Sequence, residues 1–238
     1  MASQAWASVE ARGITDDTST ERLIDWTLRR FGSRRIALTT SFGLEGCALI
    51  DMYAAHRVPL TVIYLDTMFF FPETYELRER MAARYPHLTF VNRGTRISPK
   101  EQERRFGPEL WRRDPDSCCR LRKVEPMRRA LSGMDLWVTA VTRQQSTTRA
   151  ATPLIGWDPQ FQLLKAAPLA HWSRDRVLEY IGAHDVPFNA LHDRGYPSVG
   201  CTHCTAPVAG LRPGEYSRAG RWAGTGKTEC GLHILTVR

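Results

Sequence analysis

The stretch that decides the fold is RIALTTSFGLEG, residues 35–46, in which a short apolar segment runs directly into a loop of small residues. Arg35 to Thr39 predicts a buried strand, and the pattern from Cys47 to His56 predicts a helix. A loop between a strand and a helix presents backbone N–H groups and the positive end of the helix dipole. The loop Thr40 to Gly46 is therefore a candidate anion site, although such loops are also common without any ligand.

The same alternation of strands and helices continues on both sides of this stretch. The sequence LTVIYLD, from Leu60 to Asp66, is the clearest strand, and it places Asp66 and Thr67 where open α/β sheets bind ligands. Other predicted strands are Leu88 to Asn92, Leu136 to Val141 and, at an edge, Phe161 to Pro168. Predicted helices are Thr20 to Phe31, Pro72 to Tyr85, Ser98 to Phe106, Cys118 to Leu131 and Ser173 to His184. This alternation predicts an α/β fold with a mostly parallel, twisted sheet flanked by helices.

Within that fold we expect one domain with two extensions. Residues 1–18 have no convincing period and predict a flexible N-terminal segment. Residues 19–212 form the predicted domain, and residues 213–238 form a mobile C-terminal tail.

Composition narrows the class of protein. The chain has 238 residues and a formal net charge of +8, which suits a nucleic-acid binder or an enzyme for a small polyanion. No apolar run is long enough to span a bilayer, and Met1 to Asp17 lacks the features of a signal peptide. We therefore expect a cytoplasmic protein, in which the 6 cysteines serve metals or catalysis rather than disulfides.

Four of the cysteines form a candidate metal site. An adjacent pair at 118–119 and a Cys-x-x-Cys at 201–204 can close a tetrahedral zinc site or hold an iron–sulfur cluster. Adjacent cysteines reach one small ion awkwardly, but they reach two corners of a cluster more easily. The cations Arg120, Arg122 and Lys123 would also neutralise an anionic cluster. The sequence favours a cluster on Cys118, Cys119, Cys201 and Cys204 and leaves zinc open.

A further cysteine, Cys230, lies in the tail sequence GTGKTECGLH, residues 224–233. Glycines let this backbone bend, and Lys227 and His233 place positive or protonatable groups near the sulfur. That setting favours the thiolate, which is the reactive form of cysteine. The bland interpretation is an incidental thiol in a disordered tail. Cys47, within a predicted helix, is assigned to the core.

Seven motifs together carry a resemblance to a known family. They are TSFGLEG (40–46), LDTMFFFPETY (65–75), CCRLRKVEP (118–126), VTRQQS (141–146), LHDRGYPSVGCTHC (191–204), RAGRW (218–222) and KTECGLH (227–233). The chain resembles the assimilatory adenylyl sulfate reductases, within the wider adenylyl and phosphoadenylyl sulfate reductase family. The resemblance implies a PP-loop fold of the adenine nucleotide alpha-hydrolase type and a 4Fe-4S cluster on the four cysteines.

The resemblance also implies roles for individual residues. Ser41, Phe42, Gly43, Leu44 and Glu45 would cradle the phosphate and sulfate groups, and Leu65, Asp66 and Thr67 would lie against the adenosine. Lys123 would sit between cluster and substrate, Arg143, Arg218 and Arg221 would bind the phosphosulfate, and His233 would contact substrate or aid the thiolate. Two positions depart from the family pattern: Gly46 replaces an acidic residue, and Met68 replaces the glycine of Asp-Thr-Gly.

The implied activity is the thioredoxin-dependent reduction of adenylyl sulfate to sulfite and AMP. Cys230 would carry an S-sulfonate intermediate, thioredoxin or a similar dithiol would release it, and the cluster would shape the site without a redox role. Three rival functions stay open: reduction of phosphoadenylyl sulfate, PP-loop tRNA sulfur transfer, and nucleic-acid binding by a zinc module. We expect no nucleic-acid or membrane partner, and the sequence leaves a homo-oligomer open.

Overall fold

A single six-stranded sheet organises the chain in a computed structural model that describes residues 13–211 and 218–233. Its strands are β1 Ile36–Thr40, β2 Leu60–Tyr64, β3 Leu88–Asn92, β4 Leu136–Thr139, β5 Ile155–Asp158 and β6 Leu163–Ala166. They lie in the order β3-β2-β1-β4-β6-β5, and each neighbouring pair is parallel except the antiparallel pair β5 and β6.

Helices cover the two faces of this sheet. In the described residues they are α1 Thr20–Phe31, α2 Leu44–Ala54, α3 Pro72–Arg84, α4 Pro99–Phe106, α5 Leu110–Arg113, α6 Pro115–Cys119, α7 Glu125–Leu131 and α8 Arg174–Ala183. A π-helical turn, Arg120–Val124, joins α6 to α7. Serine side chains cap α1, α4 and α8 by accepting hydrogen bonds from first-turn N–H groups, which explains why these helices begin where they do. None of the described helices has both the length and the apolarity needed to cross a bilayer.

The order of the strands creates a crevice beside β1. The chain runs outward from β1 to β2 and β3, and then returns to place β4 on the other side of β1. Leu38 pairs with Val62 of β2 on one side and with Val138 of β4 on the other. Connections that leave in opposite directions separate the loops at the carboxyl ends of the strands, where α/β proteins bind their ligands.

The central strands are buried on both faces. Leu38 and Val138 are fully buried in the core shared with α2 and α8, whereas Ala37 and Trp137 face the core shared with α7. Such burial explains the continuous apolar runs in the sequence, because a strand covered on both faces has no solvated side. The core therefore holds the carboxyl ends of β1 and β4 in fixed positions beside the crevice.

The predicted fold class is confirmed: the sheet is mostly parallel, lies in one domain and is flanked by helices. The prediction that residues 161–168 form an edge strand is wrong, because β6 lies between β4 and β5 and is almost fully buried. The strand that does form this edge of the sheet, β5, was not predicted, since its sequence IGWD is short and contains a glycine.

The predicted helix from Cys118 to Leu131 also differs in the structure. It begins earlier, at Pro115, and the carboxylate of Asp114 accepts a hydrogen bond from the Ser117 N–H at 2.9 Å. The π-helical turn interrupts it before Pro126, which stands in the first turn of α7. Residues 1–12 of the predicted flexible segment, and residues 212–217 and 234–238 of the tail region, lie outside the described residues.

Met68 has a backbone conformation that glycine adopts more readily than other residues. Its φ angle is 58°, in the left-handed region, and its N–H donates to Asp66 Oδ1 at 2.7 Å. A side chain in this region costs about 1–2 kcal/mol of strain. Methionine in place of the glycine of Asp-Thr-Gly therefore lowers the stability of the folded protein, while the turn itself is formed.

Replacing Met68 with glycine should stabilise the protein by about 0.5–1 kcal/mol. The substitution relieves the strain of about 1–2 kcal/mol, and the greater freedom of glycine in the unfolded chain offsets part of the gain. Urea unfolding at equal m-value measures the change. Met68→Ala is the matched control, because alanine retains the strained φ angle. A gain from alanine as large as that from glycine would contradict this explanation.

Candidate active site

A pocket lies in the crevice at the carboxyl ends of β1, β2 and β4. Thr39 and Thr40 at the end of β1, Thr67 beyond β2, and Thr139 at the end of β4 contribute to its walls. The crevice predicted by the strand order is therefore the place where the chain gathers polar side chains.

The loop after β1 forms one part of this pocket. Ser41 and Gly43 to Gly46 line it, and α2 begins at Leu44, three residues earlier than the sequence analysis predicted. No side chain caps this helix at Gly43, so its first N–H groups face the pocket side without that partner. Phe42 differs from its neighbours, because its ring is 1% exposed in the core and only its backbone belongs to the loop.

Gly46 fits together with Thr40. A Cβ atom at position 46 would lie 2.6 Å from Thr40 Oγ1, and that oxygen accepts a hydrogen bond from the Phe42 N–H at 2.9 Å. The larger acidic residue usual in the family would displace the threonine side chain. Glycine at position 46 therefore leaves room for the Thr40 side chain, whose hydrogen bond to the Phe42 N–H stabilises the turn of the loop.

The three residues predicted to contact a ligand after β2 have different surroundings in the structure. Leu65 and Thr67 line the pocket, as expected for residues that contact an adenosine. Asp66 instead accepts hydrogen bonds at its Oδ1 from the Met68 N–H at 2.7 Å and from the Tyr75 hydroxyl at 2.9 Å. Its carboxylate shapes the turn that carries its neighbours.

Cationic side chains line much of the pocket. Three of them were predicted from the sequence, Lys123, Arg218 and Arg221, and two were not, Arg149 and Arg174. The guanidinium groups of Arg218 and Arg221 lie 5.4 and 4.6 Å from the centre of the Trp222 ring, which packs against them. A pocket with these walls can hold a polyanion.

Arg149 was missed by the sequence analysis. Arg149 follows the polar segment that contains Arg143. Its position after the carboxyl end of a predicted strand was the only feature of the sequence that pointed to a role in the site. It becomes part of the pocket through the 3-10 turn Thr147–Arg149, and it forms a buried ion pair with Glu229 at 2.7 Å. The partners are separated by 80 positions in the sequence, so no local pattern could reveal the pair.

Arg143 lies outside this pocket. Its Nε donates to the Thr152 carbonyl at 2.8 Å, its Nη1 meets His171 Nδ1 at 3.0 Å, and its Nη2 donates to Asp16 at 3.0 Å. The side chain thus ties the segment before α1 to the loop after β4. In this structure Arg143 does not face the groups that would bind a phosphosulfate.

Cys230 lines the same pocket as the cations. Burial alone would raise the pKa of its thiol, but Lys123, the Leu232 backbone N–H and Arg149 outweigh burial and lower the pKa below its ordinary value. A lowered pKa increases the fraction of Cys230 that is present as thiolate. The groups that favour it differ from those expected, because Lys227 pairs with Asp116.

His233 reaches the pocket from the end of the described tail. Its ring stacks on Trp137 with centroids 5.1 Å apart, and burial with neighbouring cations holds its pKa well below the usual range. The ring is therefore neutral at physiological pH. It can contact a ligand, but it does not supply the positive charge near Cys230.

The four cysteines predicted to bind a cluster come together beside this pocket. Cys118 and Cys119 from α6 line a second, smaller cavity with Cys201 and Cys204 from the loop after α8. All are free thiols. Within residues 13–211 and 218–233, no three His, Cys, Asp or Glu side chains form a group set around a single metal ion. Lys123 lines both cavities and so lies between them.

The surroundings of these thiols fit an anionic iron–sulfur cluster. Arg122 is 1% exposed, and its Nη2 is buried without a hydrogen-bond partner. Burial lowers the pKa of Arg122, while the sulfurs of Cys118 and Cys201 act in the opposite direction. A buried cation beside four thiols suits a ligand set that carries negative charge.

The fold and the pocket define a class: an α/β protein of PP-loop type in which cationic side chains and a cysteine line one pocket. Residues 35–207 match the family model described as "Phosphoadenosine phosphosulfate reductase domain". A protein of Geobacillus kaustophilus named adenosine 5'-phosphosulfate reductase is 42% identical over 232 residues, which cover 96% of this chain and 97% of the relative. The chain belongs to the phosphoadenosine phosphosulfate reductase family.

Solved structures agree with this assignment. Phosphoadenylyl-sulfate reductase from Candida auris, solved as a phosphate complex, is 30% identical with a TM-score of 0.72; the match covers 87% of this chain and 98% of that one. FMN adenylyltransferase from Candida glabrata, 16% identical, shares the fold alone, with a TM-score of 0.59 over 87% of this chain and 71% of its own.

The positions of Arg143 and Arg218 give a test of the pocket. Arg218→Ala should weaken AMP binding about tenfold, because a charge-assisted hydrogen bond contributes about 1.5–3 kcal/mol. Arg143→Ala should leave the affinity within about twofold, since its partners lie elsewhere. Calorimetric titration with AMP measures both. An equal loss in the two variants would place Arg143 in the binding site after all.

Proposed function

We propose that this protein reduces adenylyl sulfate to sulfite and AMP, with thioredoxin or a similar dithiol as the electron donor. The observation that carries the proposal is the position of Cys230, whose thiol lines the same pocket as the α2 loop and the cations. The relatives that are about 42% identical over nearly the whole chain bear the name of this activity.

The pocket supplies separate surroundings for the two parts of the nucleotide. The backbone N–H groups at the start of α2 suit an anionic group, and Leu65 with Thr67 suits the adenosine. Lys123, Arg218 and Arg221 balance the charge of the phosphosulfate. This balance is a kinetic requirement, because a thiolate must approach a substrate of the same sign.

The first step transfers the sulfonate group to the protein. The Cys230 thiolate attacks the sulfate sulfur, a sulfur–sulfur bond forms, and the bond from sulfur to the bridging oxygen breaks. AMP leaves with that electron pair, and the cations stabilise the charge that develops on its phosphate. The enzyme then carries an S-sulfonate on Cys230.

The second step regenerates the Cys230 thiolate and releases sulfite. A donor thiolate attacks Cys230 Sγ, forms a mixed disulfide and expels sulfite with the electron pair of the broken sulfur–sulfur bond. The second donor thiol then attacks the mixed disulfide, so the donor leaves oxidised and Cys230 leaves as a thiolate. Both electrons come from the dithiol, and the tail must move outward to meet it.

Cys118, Cys119, Cys201 and Cys204 would hold a 4Fe-4S cluster. When bound, the cluster supplies a fixed local charge beside the pocket and braces α6 against the loop after α8. Lys123 faces both cavities, so its ammonium group can respond to the charge on either side. The chain's own residues perform the sulfur chemistry.

Phosphoadenylyl sulfate is the second candidate substrate, because the family model and the Candida auris structure bear its name. The more similar relatives carry the name of the substrate without the extra phosphate, which favours adenylyl sulfate. Sulfite release from the two nucleotides at equal concentration separates them. The adjacent cysteines Cys118 and Cys119 and the tail sequence ECGLH speak against PP-loop tRNA sulfur transfer. A zinc module that binds nucleic acid does not account for Cys230 in the pocket of the α2 loop.

Cys230→Ser should reduce sulfite production at least about 1,000-fold, as the loss of a nucleophile does in other enzymes. Wild-type protein given adenylyl sulfate without a donor should accumulate the S-sulfonate, detected by intact mass. Cys47→Ala, which removes a buried thiol in α2, is the matched control. Activity that survives in the Cys230 variant would remove the proposed nucleophile.

Anaerobic reconstitution should load about four iron ions per chain and give the protein a brown colour. Cys119→Ser should lower the iron content because it removes one ligand, and Cys47→Ala should not. Iron and sulfide assays with absorbance spectra measure the loading. Colourless protein with one zinc per chain would instead support a structural zinc site on the four cysteines.

A further inference from the structure

Glu229, the residue directly before Cys230, has a buried carboxylate bound by an arginine. Arg149 donates to it through Nε at 2.9 Å and through Nη2 at 2.7 Å, which is the two-point geometry of a strong pair. The side chains of Glu229 and Arg149 are 9% and 8% exposed. The pair is thus shielded from the solvent that weakens surface ion pairs.

Two hydroxyl groups complete the site around this carboxylate. Ser146 Oγ donates to Glu229 Oε1 at 3.0 Å, and Thr148 Oγ1 donates at 3.2 Å. Both residues lie with Arg149 in the segment after β4, and Arg149 is itself oriented by Gln145 Oε1 at 2.5 Å. The carboxylate therefore binds a receptor built on the body of the protein.

Apart from the packing of Leu232 and His233 against the core, the other contacts of the tail are more exposed, neutral or longer. Lys227 pairs with Asp116, whose side chain is 83% exposed, so solvent screens that pair. Gln160 Nε2 donates to the Gly231 carbonyl at 2.9 Å, which is a neutral hydrogen bond. Arg218 Nη2 reaches Glu229 Oε2 only at 3.4 Å. Among the described contacts of the tail, Glu229 has two largely buried ion pairs, and the pair with Arg149 is the shorter one and the one with two-point geometry.

The chemistry of the pocket gives this contact a role. Cys230 must lie in the pocket during attack and leave it to meet a dithiol, so its segment must bind reversibly. Gly224 and Gly231, with φ angles of 77° and 86°, stand on either side of Glu229 in the chain. The backbone can therefore bend at both ends of the segment while the carboxylate holds its middle.

We propose that Glu229, bound by Arg149, Ser146 and Thr148, is a latch that docks residues 227–231 and thereby positions Cys230 on the pocket. The inference rests on the proposed function for its purpose, because docking matters for the attack of Cys230. Glu229 is a positioning residue: its carboxylate points to Arg149 and the hydroxyl groups, and Cys230 alone makes the new bond.

Docking can be measured without any substrate by tryptic cleavage after Lys227, whose side chain is 7% exposed in the docked segment. When opening is fast, the cleavage rate follows the population of the open form. Ser146→Ala with Thr148→Val removes two donors of the latch and leaves the sequence at the cleavage site unchanged. The fragment that begins at Thr228 should appear at least about tenfold faster, as expected for lost hydrogen bonds to a charged group.

Thr147→Ala is the matched control, because Thr147 is exposed between the two hydroxyl residues. It should change the cleavage rate by less than about twofold, the usual effect of a surface substitution. Cleavage of each protein unfolded in urea corrects for intrinsic differences. A double variant that is cleaved no faster than Thr147→Ala would overturn the latch.

Glu229→Gln tests whether docking serves catalysis. We expect the single-turnover rate of Cys230 sulfonation at saturating adenylyl sulfate to fall at least about tenfold, while the affinity for AMP changes by less than about twofold. An unchanged sulfonation rate, or a loss of AMP affinity equal to the loss of rate, would overturn the positioning role. If wild-type protein forms no sulfonate, the proposed function fails, and the cleavage comparison still decides whether the latch exists.

Discussion

The proposed reaction imposes one electrostatic constraint on the architecture of this protein: a thiolate has to approach a substrate that already carries negative charge. Two like unit charges 4 Å apart repel by about 4 kcal/mol near a protein surface, where the effective dielectric constant is roughly 20. Glu229 adds negative charge near Cys230, whereas four cationic side chains line the same pocket: Lys123, Arg149, Arg218 and Arg221. Each is held by the fold, through the helix of the cysteine pair, the segment after β4 or the packing against Trp222. The charge balance is therefore present before a ligand arrives.

The sheet supplies the geometry that this balance needs. β1 and β4 are buried on both faces and the loops at their carboxyl ends diverge, so segments distant in sequence converge on one crevice. Trp137 shows how the core and the site are connected. Its indole N–H donates to Thr39 Oγ1 at 2.7 Å inside the sheet, while its ring stacks against the His233 ring of the tail. The tail thus packs against a fully buried side chain of the central sheet.

Local sequence patterns predicted most of the strands and helices, whereas the arrangement of the candidate site depends on contacts between residues distant in the sequence. The strand, loop and helix of residues 35–54 followed from apolar period and small residues, and so did the order of most elements. β5 was missed because four residues with a glycine carry little signal. Arg143 and Arg149 have similar sequence surroundings, yet one binds Asp16 and the other Glu229. Only the folded chain separates them, because each partner is far away in the sequence.

The π-helical turn Arg120–Val124 forms part of the wall between the pocket and the smaller cavity of the four cysteines. A π-turn holds one residue more than an α-turn, and one residue corresponds to about 100° of rotation around a helix. Arg122 is buried against Gln102 and the Thr67 carbonyl, and the adjacent Lys123 opens on the nucleotide-type pocket. Arg122 thus lines the smaller cavity, whereas Lys123 lies in the wall that the two cavities share. The extra residue turns α7 by about 100° relative to α6, and Met127 of α7 lines the pocket while Cys118 and Cys119 of α6 line the smaller cavity.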